Sequence, residues 1–403
     1  MSVYNLYCRC FQKSMKLGAY FLPWGDPKFF HGPGSVKELA RLIKSKGLSR
    51  VLVVTDPGLV RLNLPNDFLR NLEELGIFAA VYDRTVANPT VENVEEARKL
   101  YLEHNCQAIV GFGGGSPMDC AKLVGARIAK PNKPLTKMAG LFKVLKKLPP
   151  LFMIPTTIGT GSEVTIAAVA CDQEKVRKFA CMDFSLRPKA AAFDPRLTVT
   201  LPPHITATTG MDALTHAVKS YIGHSNSRRT AAKALEATKL IFEHVETAYS
   251  DGDDLEAREK MLYASCCAGI AFTRAYVGNV HAIAHALGAF YNVPHGFANA
   301  IIMPYVLDFY GARAHARLAD LADAAGIPGD TQAEKAQAFI AAIREKNARM
   351  GLPKKFDCIR EIDLPAIAAH AFKEANPLYP VPVIMRKQDI ITLVREKLME
   401  VTV

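Results

Sequence analysis

The chain has 403 residues, a formal charge of +11 and a hydrophobic share of 49%, enough for about two domains with sizeable cores. No apolar run approaches the ~18 residues of a membrane span. Nine cysteines, an odd number without a CxxC pair, fit a reducing compartment better than a disulfide framework. The basic excess is densest at Lys130, Lys133, Lys137, Lys143, Lys146 and Lys147, a stretch poor in aromatics and interrupted by Pro131 and Pro134. A solvated loop is expected there, and no nucleic-acid partner.

The first 25 residues lack Asp and Glu and carry Arg9, Lys13 and Lys16. That composition leaves organellar targeting open, but Arg is scarce and the apolar run of a secretory signal is missing. Residues 1–28 are expected to be a short native extension of a cytoplasmic protein. Helix and strand then alternate. Ser35–Lys46 reads as a helix with Ser35 as N-cap, Val51–Thr55 as a buried strand, Asn66–Leu75 as a helix closed by Gly76, and Phe78–Tyr82 as a strand. Val91–Leu102 and Met118–Ala129 follow as helices, with Ala108–Gly111 and Leu151–Ile154 as strands. Such alternation predicts a parallel sheet covered on both faces. Val164–Cys171, Arg177–Met182 and Ala190–Phe193 are further candidate strands. Beyond Leu201-Pro202-Pro203 the chain turns helical, so the boundary is placed near residue 200: an α/β domain over 1–200 and an all-helical domain over 201–403.

Two turns follow strands. Gly111-Phe112-Gly113-Gly114-Gly115-Ser116-Pro117 opens a helix, where glycines admit close approach of a phosphate and the first amides can donate to it. It departs from GxGxxG, since Ser116 stands where the third Gly belongs, and a plain tight turn explains it as well. Pro155-Thr156-Thr157-Ile158-Gly159-Thr160-Gly161-Ser162-Glu163 places hydroxyls at a strand's carboxyl end, where open α/β sheets bind ligands. Asp56, after Val51–Thr55, suits either an adenosine ribose or a turn before Pro57-Gly58.

In the helical half, Asp212 and His216 stand four apart, as do His281 and His285, and His295 follows in Val293-Pro294-His295-Gly296. Residues four apart share a helix face. One carboxylate with several imidazoles suits iron(II) or zinc(II). The stretch His281-Ala282-Ile283-Ala284-His285 has no Glu after its first His, so it is not HExxH.

These residues resemble the iron-containing alcohol dehydrogenase family. The resemblance is carried by GFGGGSPMD at 111–119, IPTTIGTGSEVT at 154–165, FDPRLT at 193–198, TGMDALTHAVKSYI at 209–222 and VHAIAHALGAFYNVPHGFANAIIMP at 280–304. It implies an N-terminal α/β dinucleotide-binding domain, an all-helical C-terminal domain and an active site in the cleft between them. It further implies Asp212, His216, His281 and His295 as metal ligands, and His285 as a histidine near the reacting alcohol. Asp56 matches the acidic position that favours NAD over NADP. Gly114, Gly115, Ser116, Asp119, Thr156, Thr157, Thr160 and Lys178 match cofactor positions. The implied reaction is reversible hydride transfer between a small alcohol and NAD, on iron(II) or alternatively zinc(II), in a homodimer or higher homo-oligomer. Two stretches depart from the pattern, Arg274 with Tyr276 and Asn376-Pro377-Leu378, and both bear on the substrate. A synthase of the dehydroquinate type shares the architecture but lacks the histidine at His216. A non-catalytic metal or nucleotide binder would not need both constellations.

Overall fold

The computed structural model describes residues 3–173 and 177–400. They form two compact units, one spanning Pro23–Thr200, the other running from Leu201 onward and including the N-terminal stretch to Leu22. The first helix, α1 (Val3–Ala19), therefore belongs to the helical unit, not to the α/β unit that follows it in sequence. Long-range bonds hold it there: Arg9 donates to the carbonyls of Val381 and Pro382 over 2.7 and 2.9 Å, and Gln12 to those of Pro377 and Tyr379 over 3.0 and 2.8 Å.

The α/β unit is built on strands β1 (Lys28–His31), β2 (Arg50–Val54), β3 (Phe78–Tyr82), β4 (Ala108–Gly113), β5 (Gly140–Leu141), β6 (Leu151–Pro155), β7 (Ala167–Asp172), β8 (Arg177–Met182) and β9 (Ala190–Phe193). Six of these form a sheet in the order β1-β9-β6-β4-β2-β3, with every pair parallel. A small second sheet, β5-β8-β7, lies apart from it in the hydrogen-bonding pattern. The helices of this unit are α2 (Ser35–Ser45), α3 (Pro57–Arg61), α4 (Asn66–Glu74), α5 (Val91–Glu103) and α6 (Gly115–Ala129). Strands β2 and β4 bury nearly every side chain, as expected of a parallel sheet covered on both faces. On one face, Val51, Val53, Val110, Phe112, Phe152 and Ile154 pack with Leu39 and Ile43 of α2 and Phe68 and Leu72 of α4.

Local chemistry shifts several boundaries from the sequence reading. Gly34, with φ of 85°, precedes α2 in place of Ser35, which becomes its first residue. Val164 lies in a short 3₁₀ turn, and β7 begins only at Ala167. The helix after the glycine turn starts at Gly115, three residues before the expected Met118.

The helical unit comprises α1 with α7 (Pro203–Ile222), α8 (Arg228–Ser250), α9 (Leu255–Ala275), α10 (Asn279–Tyr291), α11 (His295–Tyr310), α12 (His315–Ala324), α13 (Gln332–Arg349), α14 (Leu364–Ala375) and α15 (Lys387–Leu393). From Gly210 to Ile222 every residue of α7 is buried. A helix enclosed all round must satisfy its polar side chains internally, and Asp212, His216 and Lys219 all lie on this one. No helix of the described residues is long and apolar enough to cross a membrane.

Candidate functional site

Two constellations stand out, one in each unit. In the α/β unit, β2 lies beside both β3 and β4, so the strand order reverses between β2 and β4. Ligands of open parallel sheets bind at the carboxyl ends of strands at such a switch point. Three loops meet there. Asp56 follows β2, the glycine turn ends β4, and Thr156 follows β6 with its N–H on the Gly113 carbonyl at 3.0 Å. Gly113 has φ of 145°, and a Cβ on it would come within 2.8 Å of Pro117 and 2.9 Å of Leu59. A Cβ on Gly114 would meet Thr157 at 3.1 Å, and one on Gly115 would meet Thr160 at 3.0 Å. The two loops thus touch through the positions where side chains are missing. Gly114 caps α6 without any side-chain bond to its first amides, and Thr157 Oγ1 is buried with no partner. A bare helix start beside small residues and an unspent hydroxyl fits a phosphate-bearing cofactor.

The other residues named from the sequence have definite partners. Asp56 is the N-cap of α3, its Oδ1 accepting from Gly58 and Leu59 amides at 2.9 and 3.0 Å. Ser116 Oγ accepts from the Asn88 amide at 3.1 Å. Asp119 spends both oxygens bracing the second loop, on Ser162 Oγ at 2.6 Å and the Val169 amide at 2.9 Å. Thr160 Oγ1 accepts from the Ser162 amide at 3.4 Å. Lys178 lies on β8 opposite Cys171, and burial lowers its ammonium pKa. Missed from the sequence was Lys122, wholly buried, which donates to the Ser162 and Ala167 carbonyls and to the hydroxyls of Ser162 and Thr165. Burial pushes it down to about 8, and pushes its neighbour Glu163 up to about 7.

In the helical unit, α7, α10 and the start of α11 bring Asp212, His216, His281 and His295 together, one ligand atom from each lying within 4.8 Å of all the others. Asp212 Oδ1 stands 3.9 Å from Nε2 of His216, 3.9 Å from Nε2 of His281 and 3.8 Å from Nε2 of His295. Gly296 makes the approach possible, since a Cβ there would come within 2.5 Å of the Thr208 carbonyl on α7. The Phe272 ring stacks on His216 with centroids 4.3 Å apart. Asn299, one turn along α11, aims its amide nitrogen at Asp212 Oδ1 (2.7 Å), His295 Nε2 (3.1 Å) and His281 Nε2 (3.3 Å). Lys219 Nζ lies 3.2 Å from His281 Nε2. Neither Asn299 nor Lys219 carried a sequence signal, because neither residue type is expected among imidazole and carboxylate donors.

Burial dominates the electrostatics. It raises the Asp212 carboxyl, against the Asn299 hydrogen bond and the Lys219 charge. It drives Lys219 well below its usual range, and His281 likewise, helped by the Lys219 charge. A neutral imidazole is the form that donates a lone pair. Three imidazole nitrogens and one carboxylate oxygen converge in mostly dry surroundings, with the Asn299 amide nitrogen among them. That donor set fits a divalent metal taking N and O ligands.

His285, one turn after His281, has its ring stacked on His295 at 4.9 Å between centroids. Arg274 places its guanidinium over the Tyr20 ring at 5.1 Å, and Tyr276 takes a positive φ of 63° just after α9.

A fold of this kind, with a switch-point cradle and a three-histidine, one-aspartate cluster, fits a nucleotide- and metal-linked enzyme class. Comparison with known proteins specifies it. The model of the family described as iron-containing alcohol dehydrogenase matches residues 26–195, and that of the Fe-containing alcohol dehydrogenase family, C-terminal, matches 206–398. Alcohol dehydrogenase 4 of Saccharomyces cerevisiae is 36% identical over 381 residues, covering 94% of this chain and 97% of the yeast protein. The NAD-dependent methanol dehydrogenase of Bacillus methanolicus is 34% identical over 383 residues, covering 94% and 99%. The crystal structure of a 1,3-propanediol oxidoreductase superposes with a TM-score of 0.90 at 34% identity, covering 93% of this chain and 99% of that one. The chain belongs to the iron-containing alcohol dehydrogenase family. It is an alcohol oxidoreductase working with a nicotinamide cofactor.

Proposed function

We propose that Asp212, His216, His281 and His295 hold a divalent metal, iron(II) by preference and zinc(II) as the alternative, for the reversible oxidation of a small alcohol to its aldehyde or ketone. The observation that carries this reading is the convergence of those four donors within 4.8 Å. When bound there, the ion supplies Lewis-acid polarisation of the substrate oxygen. The chain's own residues do the rest. Asp212 offers the cluster's carboxylate charge, and Phe272 holds the His216 ring by stacking. Oxidation of an alcohol removes a hydride from carbon and a proton from oxygen, and His285 is assigned the proton. Gly114, Gly115, Ser116, Thr156, Thr157 and Thr160 shape the seat of the cofactor, with Asp119 and Lys122 bracing it from behind. Asp56 disfavours a 2′-phosphate by its charge, so NAD is the expected cofactor ahead of NADP. All nine cysteines are free, which supports a cytoplasmic setting, and a homo-oligomer is the expected assembly.

The test is anaerobic purification, elemental analysis, and an NADH-release screen over primary alcohols, diols and hydroxy acids. Near-stoichiometric iron with alcohol-dependent NADH accumulation supports the reading. Metal-replete protein without turnover on any alcohol would sink it.

A further inference from the structure

His285 has a partner that no motif pointed to. Its Nδ1 lies 2.7 Å from Glu374 Oε1, and the Tyr379 hydroxyl donates to that same oxygen over 2.8 Å. Glu374 stands in the last turn of α14, which packs along α10, while Tyr379 is buried in the segment that follows. A carboxylate only accepts hydrogen bonds, so the imidazole must be the donor at Nδ1. In the neutral ring this leaves Nε2 with its lone pair. The opposite constraint comes from His295, whose ring lies stacked against that of His285. The imidazole is therefore held by an oxygen at one nitrogen and by an aromatic face at its side. Tyr379 in turn fixes the oxygen, since it approaches the same atom.

We propose that Glu374 is a positioning residue, fixing with Tyr379 both the orientation and the tautomer of His285, so that Nε2 is the nitrogen that accepts the alcohol proton. This rests on the assignment of the proton to His285. A carboxylate that merely tied α14 to α10 would serve equally well against any donor. Here it meets the one histidine of the cluster that the metal does not need, at the nitrogen whose protonation decides what the other nitrogen can do.

The experiment compares Glu374→Ala, Glu374→Gln, Tyr379→Phe and His285→Ala. Ring-nitrogen NMR of zinc-loaded protein should show His285 protonated at Nδ1 in the unsubstituted chain and redistributed towards Nε2 in Glu374→Ala. Turnover of Glu374→Ala should fall ~10–100-fold, the scale seen when a partner that orients a functional imidazole is lost. Metal content and NAD affinity should hold, and KM should move far less than kcat. Glu374→Gln keeps an acceptor oxygen for Nδ1–H and should recover most of the rate, and Tyr379→Phe should lose less than Glu374→Ala. Unchanged ring signals and an unchanged kcat in Glu374→Ala, with His285→Ala slow, overturn the positioning role alone. A wild-type rate in His285→Ala overturns the proton assignment itself and the proposal with it.

Discussion

Replacing Asp212 by Asn removes the only carboxylate of the donor cluster while nearly conserving volume. In the native site its Oδ1 stands 3.8 to 3.9 Å from three imidazole nitrogens and accepts from Asn299 at 2.7 Å. Four-ligand zinc sites bind with ~10–16 kcal/mol in total, so an equal quarter share is ~3 kcal/mol, or about 10²-fold in metal affinity. The charge adds to that share. The carboxylate's charge faces a divalent ion, and unit charges 4 Å apart interact by ~4 kcal/mol at an effective dielectric of about 20. Without the carboxylate, that attraction is lost. The expected loss is therefore ~10²–10⁴-fold in affinity. Competition titration of zinc against a chelator, with thermal unfolding of the metal-free protein alongside, measures it. The metal-free variant should be no less stable than the parent, because burial disfavours the native carboxylate's charge. Affinity within tenfold of the parent in a folded variant would refute the ligand assignment.

Asp56→Asn keeps the oxygen that caps α3 but not its charge, so relative use of NADP should rise several-fold with little change in stability. An unaltered NADP to NAD ratio in steady-state kinetics counts against a role for that charge. Glu163 is pushed from 4.5 up to about 7 by burial. A raised folded-state pKa means the neutral carboxyl favours the fold below about 4.5, and that contribution is lost as pH rises through 7. Glu163→Gln should flatten this fall and gain up to ~3 kcal/mol at pH 8, and urea midpoints with parallel pH profiles for both proteins would contradict it. Lys219→Met removes a buried amine, whose charged form burial disfavours, 3.2 Å from a proposed ligand atom, and should tighten zinc binding most at low pH, where the amine would otherwise take up a proton. Weaker binding in a folded variant would show that Lys219 supports the site.

Much of the fold could be read because single-residue chemistry decided it. Val51 to Val54 and Ile109 to Phe112 are apolar without alternation, which suits a strand buried on both faces. Boundaries failed where backbone conformation or a tertiary partner outweighed propensity. Ser35 looked like a cap, but Gly34 in the left-handed region turns the chain one residue earlier. The start of α6 was set three residues late because glycines are weak helix formers, yet here they are the helix's opening turn. The placement of α1 could not be read at all. It depends on bonds from Arg9 and Gln12 to carbonyls more than 360 positions away, and nothing in local sequence announces them. The same holds for Glu374, which reaches His285 across 89 positions.

The site also shows why spacing revealed some members and hid others. Three helices each contribute a pair of residues one turn apart: Asp212 with His216 on α7, His281 with His285 on α10, and His295 with Asn299 on α11. The first two pairs were legible because both members are metal-type ligands. The third has the same geometry, but an amide gives no such signal. Exposure divides the cluster differently. The side chains of Asp212, His216 and His281 are 4%, 6% and 2% exposed, whereas those of His285 and His295 are 34% and 38% exposed. A group that exchanges protons with water must reach it, and a ligand that discriminates by charge works best when dry. The gradient therefore runs from three enclosed donors to a rim formed by His295 and His285. The proton is proposed for the rim residue whose Nδ1 Glu374 holds and whose side chain is a third open to solvent.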